Sequence, residues 1–206
     1  MGKRVRKKWD LPSEHGSALA VLALSFLLGG VGGCVLAALA SGQGGEELCA
    51  YLSDYLALAG EGELPRGLWP VLWGQLKVLL LTLILGITAL GVVGLPVVFG
   101  VRGFFFTFSS ACFCRVFGGR GLFAAFALLG LPALLWIPAL FLAGVRGFSS
   151  ACALLRQSLG EGRGGPVWRG PCWYQAGLCV GLALGAGALE YWVAPVLLRA
   201  AARVVL

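Results

Sequence analysis

The sequence predicts an all-α fold: a polytopic helical membrane protein of about five transmembrane helices, N-in and C-out, with a short amphipathic outer helix. Three observations predict it. Of the 206 residues, 59% are hydrophobic and 12% charged, and the mean hydropathy is +0.89, a balance that soluble domains do not carry. Several apolar runs reach the roughly 20 residues needed to cross a hydrocarbon layer of about 30 Å. The net charge of +7 is spread unevenly, with acidic and basic connecting segments alternating in the way that sets topology. A single membrane domain over 1–206 accommodates all three.

The N-terminus, MGKRVRKK, has the basic character of a signal peptide's first region. The apolar run after it, 16–40, is too long for a signal's hydrophobic core and lacks a cleavage site leading into a soluble domain, so it is expected to stay as the first helix. The basic cluster beside it suits anionic lipid better than nucleic acid.

The outer segment, 41–70, carries Glu46, Glu47, Asp54, Glu61 and Glu63 against Arg66. Within it Leu48, Leu52, Tyr55, Leu56 and Ala59 recur at helical spacing, with Glu47 and Asp54 off that face, which predicts an amphipathic helix. Such a helix lies on the bilayer or docks on a partner. Its candidate partner-contact residues are Glu47, Tyr51, Asp54 and Tyr55.

The second helix is expected over 73–101, entered through Trp69 and Trp73, with Lys77 one turn in, where it can snorkel, and Pro96 near its end. The stretch 103–118 is short, and its roughly 15 apolar residues reach only about 22 Å, a length that alone would suit a re-entrant segment. A fourth helix over 122–145 has no charge, and Pro132 and Pro138 are tolerable inside it because neighbouring helices can satisfy the freed carbonyls. The inner segment 146–170 is basic, with Arg146, Arg156, Arg163 and Arg169 against Glu161. The last helix, 172–195, contains Glu190 and Pro195.

The positive-inside rule orients these elements. With the N-terminus inside, the acidic segment falls outside and Arg102 inside. The basic segment 146–170 can also be inside only if the short third stretch crosses. The pentapeptide GVRGF occurs at 100–104 and again at 144–148, each time followed by SSAC. On this topology both copies end outward-to-inward helices and place Arg102 and Arg146 at the inner surface. Two roles stand for them: anchors of helix ends, or a pair facing a shared partner or lipid headgroup. The glycines permit a tight turn and a close approach to neighbouring helices. Both copies run in the same direction and their offsets to other motifs differ, which argues against an inverted duplication.

The inventory for chemistry is short. His15 is the single histidine, no serine, histidine and carboxylate set can be assembled, and the paired glutamates sit in a segment too short to form a sugar cleft. The chain is therefore not expected to be an enzyme. Seven cysteines show no metal-ligand spacing, so neither a metal site, a cofactor nor a disulfide framework is expected. Glu190 is the one carboxylate inside an apolar run, and such groups demand a partner or a role. It reads either as an interfacial residue paired with Arg115 or Arg120, or as a proton- or ion-coupling group. In a small transporter or channel-like protein, Lys77, Arg115 and Glu190 would face a common water-filled path. A homo-oligomer is compatible with everything above.

The order of features carries a resemblance. A basic N-terminus and first helix precede EELCAYLSDYLALAGEG, then GQLKVLLLTLILGITALGVVGLPVVFGVRGF, then a proline-containing helix, and finally ALEYWVAPVLL with Glu190 and Pro195 five apart. Over nearly its whole length the chain resembles the stage II sporulation protein M family of endospore-forming bacteria. The resemblance implies a multi-pass protein of the mother-cell membrane, needed for engulfment of the forespore. It implies as partners the sporulation proteins D and P, cell-wall hydrolases that cut and trim peptidoglycan, with this chain as their membrane scaffold. The chemistry would then belong to the partners. A family member acting outside sporulation is the variant reading.

Overall fold

The computed structural model describes residues 13–39, 67–159 and 172–193, together with Glu47, Ala50, Tyr51, Asp54 and Val196. Five long helices make up most of this. They are α1 (Ser13–Leu39), α2 (Leu68–Ile87), α3 (Gly91–Ala125), α4 (Leu131–Ser158) and α5 (Cys172–Trp192), and one π-helical turn, Phe126–Gly130, joins α3 to α4. Four apolar stretches, His15–Leu39, Leu68–Ile87, Gly91–Gly119 and Leu128–Ser158, are long enough to cross a membrane. The 21 residues of α5 extend about 31 Å. The chain is a multi-pass membrane protein.

Contacts between backbones set the helix directions. Gly103 sits against Phe26, Thr107 against Gly30 and Arg115 against Ala37, so α1 and α3 run parallel. Gly144 meets Phe99 while Ala151 lies beside Gly91, so α4 returns antiparallel to α3. Gly187 packs on Leu72 near the start of α2, while Cys179 and Ala183 cluster with Leu79 and Leu83 farther along it, so α5 runs antiparallel to α2. The five helices thus alternate, and α1 begins at the end of the bundle opposite the one where α5 finishes.

The helix boundaries differ from those expected between 73 and 158, and α4 runs on from 145 to Ser158, through the first part of the expected inner segment. The chain turns at Thr88–Leu90, not at Arg102. Thr88 is extended, at φ −113° and ψ 151°, and both its N–H and its hydroxyl donate to the Leu85 carbonyl, at 3.1 and 3.0 Å. Hydropathy does not drop across these three residues, so composition does not reveal the break. Residues 91–101 then join 103–117 in one helix, and the short third stretch becomes the upper half of a full crossing. That helix reverses at Gly118, whose φ of 61° and ψ of −142° favour a residue without Cβ. A Cβ at Gly121 would run into the Phe113 carbonyl, so the return is tight.

Both copies of GVRGF therefore lie inside helices, α3 and α4, and neither forms a turn. Their paired glycines make close helix contacts instead. Gly100 faces Gly29 and Gly103 faces Phe26, while Gly144 receives the Phe99 ring and Gly147 meets Gly86, where a Cβ on Gly86 would stand 2.6 Å from the Gly147 Cα. Arg102 consequently lies near the middle of α3, about 16 Å along the helix from its start, and not at the inner surface. Arg146 lies nearer a helix end, level with the turn between α2 and α3, because its neighbour Gly147 packs on the last turn of α2. Of the expected helix-shaping prolines, Pro96 is inside α3, Pro132 opens α4 and Pro138 is inside α4. Pro195 falls outside the described residues.

The core forms at the crossing of these helices. Leu22, Leu95, Phe99, Trp136, Leu140 and Ala186 make one buried cluster, with Phe141 edge-on to Phe99 at 4.9 Å and to Phe26 at 6.0 Å. Nearer the C-terminal end of α1, Ala37, Cys112, Phe113 and Ala125 make a second.

Candidate functional site

Directly above the main core, four helices each contribute one polar or aromatic side chain. Gln75 comes from α2, Arg102 from α3, Trp136 from α4 and Glu190 from α5. The Gln75 amide donates from Nε2 to Glu190 Oε2 at 3.0 Å. The Arg102 guanidinium lies over the Trp136 ring, 4.5 Å from its centroid, and Glu190 supplies the opposite charge that attracts it. Trp136 is buried and the other three are half-buried.

The arrangement follows from the cost of charge in hydrocarbon. An intramembrane arginine needs both a counter-charge and a surface for its flat cation, and Glu190 and Trp136 supply these. Two buried atoms, Gln75 Oε1 and Arg102 Nε, have no hydrogen-bond partner among the described residues. Chemically the cluster can hold the four helices in register.

The expected pairing of Glu190 with Arg115 does not form. Arg115 instead donates from Nη1 to the Ala37 carbonyl at 2.6 Å and to that of Ala38 at 3.4 Å. These are among the last carbonyls of α1, which have no partner within their own helix. Arg115 lies about 20 Å farther along α3 than Arg102, too far to serve Glu190. The side chain of Arg120 falls outside the described residues. Arg115→Met is expected to free these carbonyls and destabilise the C-terminal end of α1 by about 1 kcal/mol. Hydrogen exchange of the last turn of α1 is the measurement, and protection equal to wild type would contradict it.

The remaining site candidates stand apart from the cluster. Lys77 is exposed on α2, its Nζ 5.7 Å from the Trp73 ring centroid. Arg146 is half-buried on α4, within electrostatic range of Cys179 on α5. Glu47, Tyr51 and Asp54 are helical and exposed, at a spacing that puts them on one face. Tyr55 lies outside the described residues. Sequence reasoning singled out Arg102 and Glu190 but missed Gln75 and Trp136. Gln75 did offer a signal, as an amide within an otherwise apolar run, whereas nothing in the local sequence distinguishes Trp136 from an interfacial tryptophan.

A bundle in which Gln75, Arg102 and Glu190 turn inward from three membrane helices defines a class: polytopic helical membrane proteins with a polar cluster in the bundle core. Within that class the chain belongs to the stage II sporulation protein M family, whose family model matches residues 22–195. Comparison with curated proteins and with solved structures gives no match.

Proposed function

We propose that the chain is a non-enzymatic membrane scaffold that holds peptidoglycan-remodelling hydrolases, sporulation proteins D and P, at the mother-cell membrane during engulfment. Family membership supports the setting. One observation favours a scaffold over a transporter: Lys77, Arg115 and Glu190 sit in three separate places, on an exposed helix face, on the α1 carbonyls and inside the bundle. A transport path would need them on one surface. The exposed face of Glu47, Tyr51 and Asp54 is the outer contact for the partners, in keeping with the acidic, solvent-facing character of that segment.

The test is affinity purification of the tagged chain from detergent-solubilised membranes of sporulating cells, followed by mass spectrometry. The hydrolases are expected to co-purify, and charge reversal at Glu47 and Asp54 together is expected to lower their recovery severalfold without reducing membrane insertion. An intact, inserted chain that brings no hydrolase with it would overturn the reading and restore transport as the competitor. Recovery unchanged by the reversal would remove only the outer face.

A further inference from the structure

Lys77 is an exposed cation halfway along a membrane-spanning helix. At 1.5 Å per residue it stands about 14 Å from one end of α2 and about 15 Å from the other. Its side chain rises toward the helix N-terminus, as helix geometry dictates, and its ammonium comes to rest beside Trp73, one turn up. One turn is about 5.4 Å, which leaves the charge about 8 Å short of the helix end, below the reach of the headgroups. The cation–π contact with Trp73 offsets only part of the cost of an ammonium in hydrocarbon.

The other mid-span charges are turned inward, Arg102 over Trp136 and Glu190 toward Gln75. The surface around Lys77 is shaped for a helix. Trp73, Lys77, Leu81 and Ile84 are all exposed and follow the spacing of three and four residues that makes a packing seam. Beside them Gly74 has nothing within 4 Å of where a Cβ would stand, a notch that allows another backbone to come close.

We propose that this face of α2 docks a membrane-spanning helix of another protein that carries a carboxylate at the depth of Lys77. Charge complementarity selects that occupant. A second copy of the chain offers no suitable group, because among the described residues Glu190 is the one carboxylate inside an apolar helix beyond its first turn and it already accepts a hydrogen bond from Gln75. Lipid phosphates lie at the membrane surfaces, away from the ammonium. The surface deepens the scaffold reading, on which it rests, by assigning where and by what chemistry a partner's membrane anchor is held.

The test uses the full chain in vesicles of phosphatidylethanolamine and phosphatidylglycerol, with fluorescently labelled polyleucine helices as probes and energy transfer as the readout. One probe carries a single glutamate at its centre, one a lysine there, and one only leucine. The glutamate probe is expected to associate about tenfold more tightly than the leucine probe. Lys77→Met should bring that ratio to about one, and Lys77→Glu should shift the preference to the lysine probe. Equal association of the glutamate and leucine probes with the wild-type chain, as expected if lipid phosphate held Lys77, would overturn the proposal. So would a glutamate preference that survives Lys77→Met, or energy transfer between two labelled copies of the chain that depends on Lys77 while the probes bind alike. Hydrolase recovery separates this surface from the scaffold: equal recovery by wild type and Lys77→Met removes the surface and keeps the scaffold. A glutamate preference without any hydrolase recovery does the reverse.

Discussion

Gly29→Ala is expected to loosen α1 from α3 and to cost about 3 kcal/mol, the upper part of the range for overpacking a close contact. The added methyl would run into the backbone carbonyl of Gly100, and a carbonyl cannot swing aside as a side chain can. The neighbouring contacts make the same demand, since Gly33 faces the Phe104 carbonyl and Gly103 that of Phe26. The two helices approach so closely that the Thr107 hydroxyl donates to the Gly30 carbonyl at 2.8 Å, so separating them breaks a hydrogen bond as well as packing. Gly181→Ala is the matched control. Gly181 is exposed on α5 and has nothing within 4 Å of a built Cβ, so alanine there should be neutral or stabilise by up to about 1 kcal/mol through helix propensity. Thermal unfolding in detergent followed by circular dichroism distinguishes the two. Equal midpoints for the two variants would mean that the α1–α3 contact contributes nothing to stability.

Glu190→Leu is expected to be the most damaging single change at the polar cluster. It would leave the Arg102 guanidinium without its opposite charge and the Gln75 amide without its acceptor. Both groups are half-buried, so the loss is expected at about 1–3 kcal/mol, below that of a fully buried pair broken from one side, whereas replacing both partners by apolar residues is often neutral. Adding Arg102→Met to Glu190→Leu should therefore recover much of the loss, because the methionine can still lie on the Trp136 ring without carrying a charge. A double-mutant cycle on detergent-solubilised protein measures this, with a favourable coupling on the order of 1–3 kcal/mol expected between the two sites. Strictly additive losses would mean that Arg102 and Glu190 do not sense each other. The result also bears on transport: a coupling carboxylate should be sensitive to Glu190→Leu in flux even where Arg102→Met restores stability.

The two arginines of GVRGF illustrate how far local reading reaches. A charge at the end of an apolar run is ordinarily a helix end, because hydrocarbon does not tolerate it. That rule fails at Arg102 because Trp136 and Glu190, distant in sequence, are folded around it. It serves better at Arg146, which lies level with the α2–α3 turn, next to the Gly86–Gly147 contact. The turn at Thr88–Leu90 escaped for the complementary reason: it is built from residues no more polar than the helices it joins, and its carbonyls are satisfied locally by Thr88. Arg115 was legible as a polar residue near a membrane boundary, but its use was not, since the carbonyls it caps belong to a helix some 77 residues earlier.

The sequence by itself determined the class of protein, the helical fold, the number of long helices and the alternation of their directions. Each of these follows from quantities summed along the chain: hydropathy over a run of about 20 residues, and the sign of charge in the segments between runs. It also carried enough ordered detail to indicate the family. Tertiary structure alone decided where the second helix ends, that GVRGF makes helix contacts, that Arg102 is interior, and that Glu190 meets Gln75 while Arg115 caps α1. These depend on which faces of separate helices meet. In a membrane-spanning bundle nearly every face is apolar, so the choice among them turns on the fit of small residues and on a few polar pairs, and neither leaves a periodic mark on the sequence.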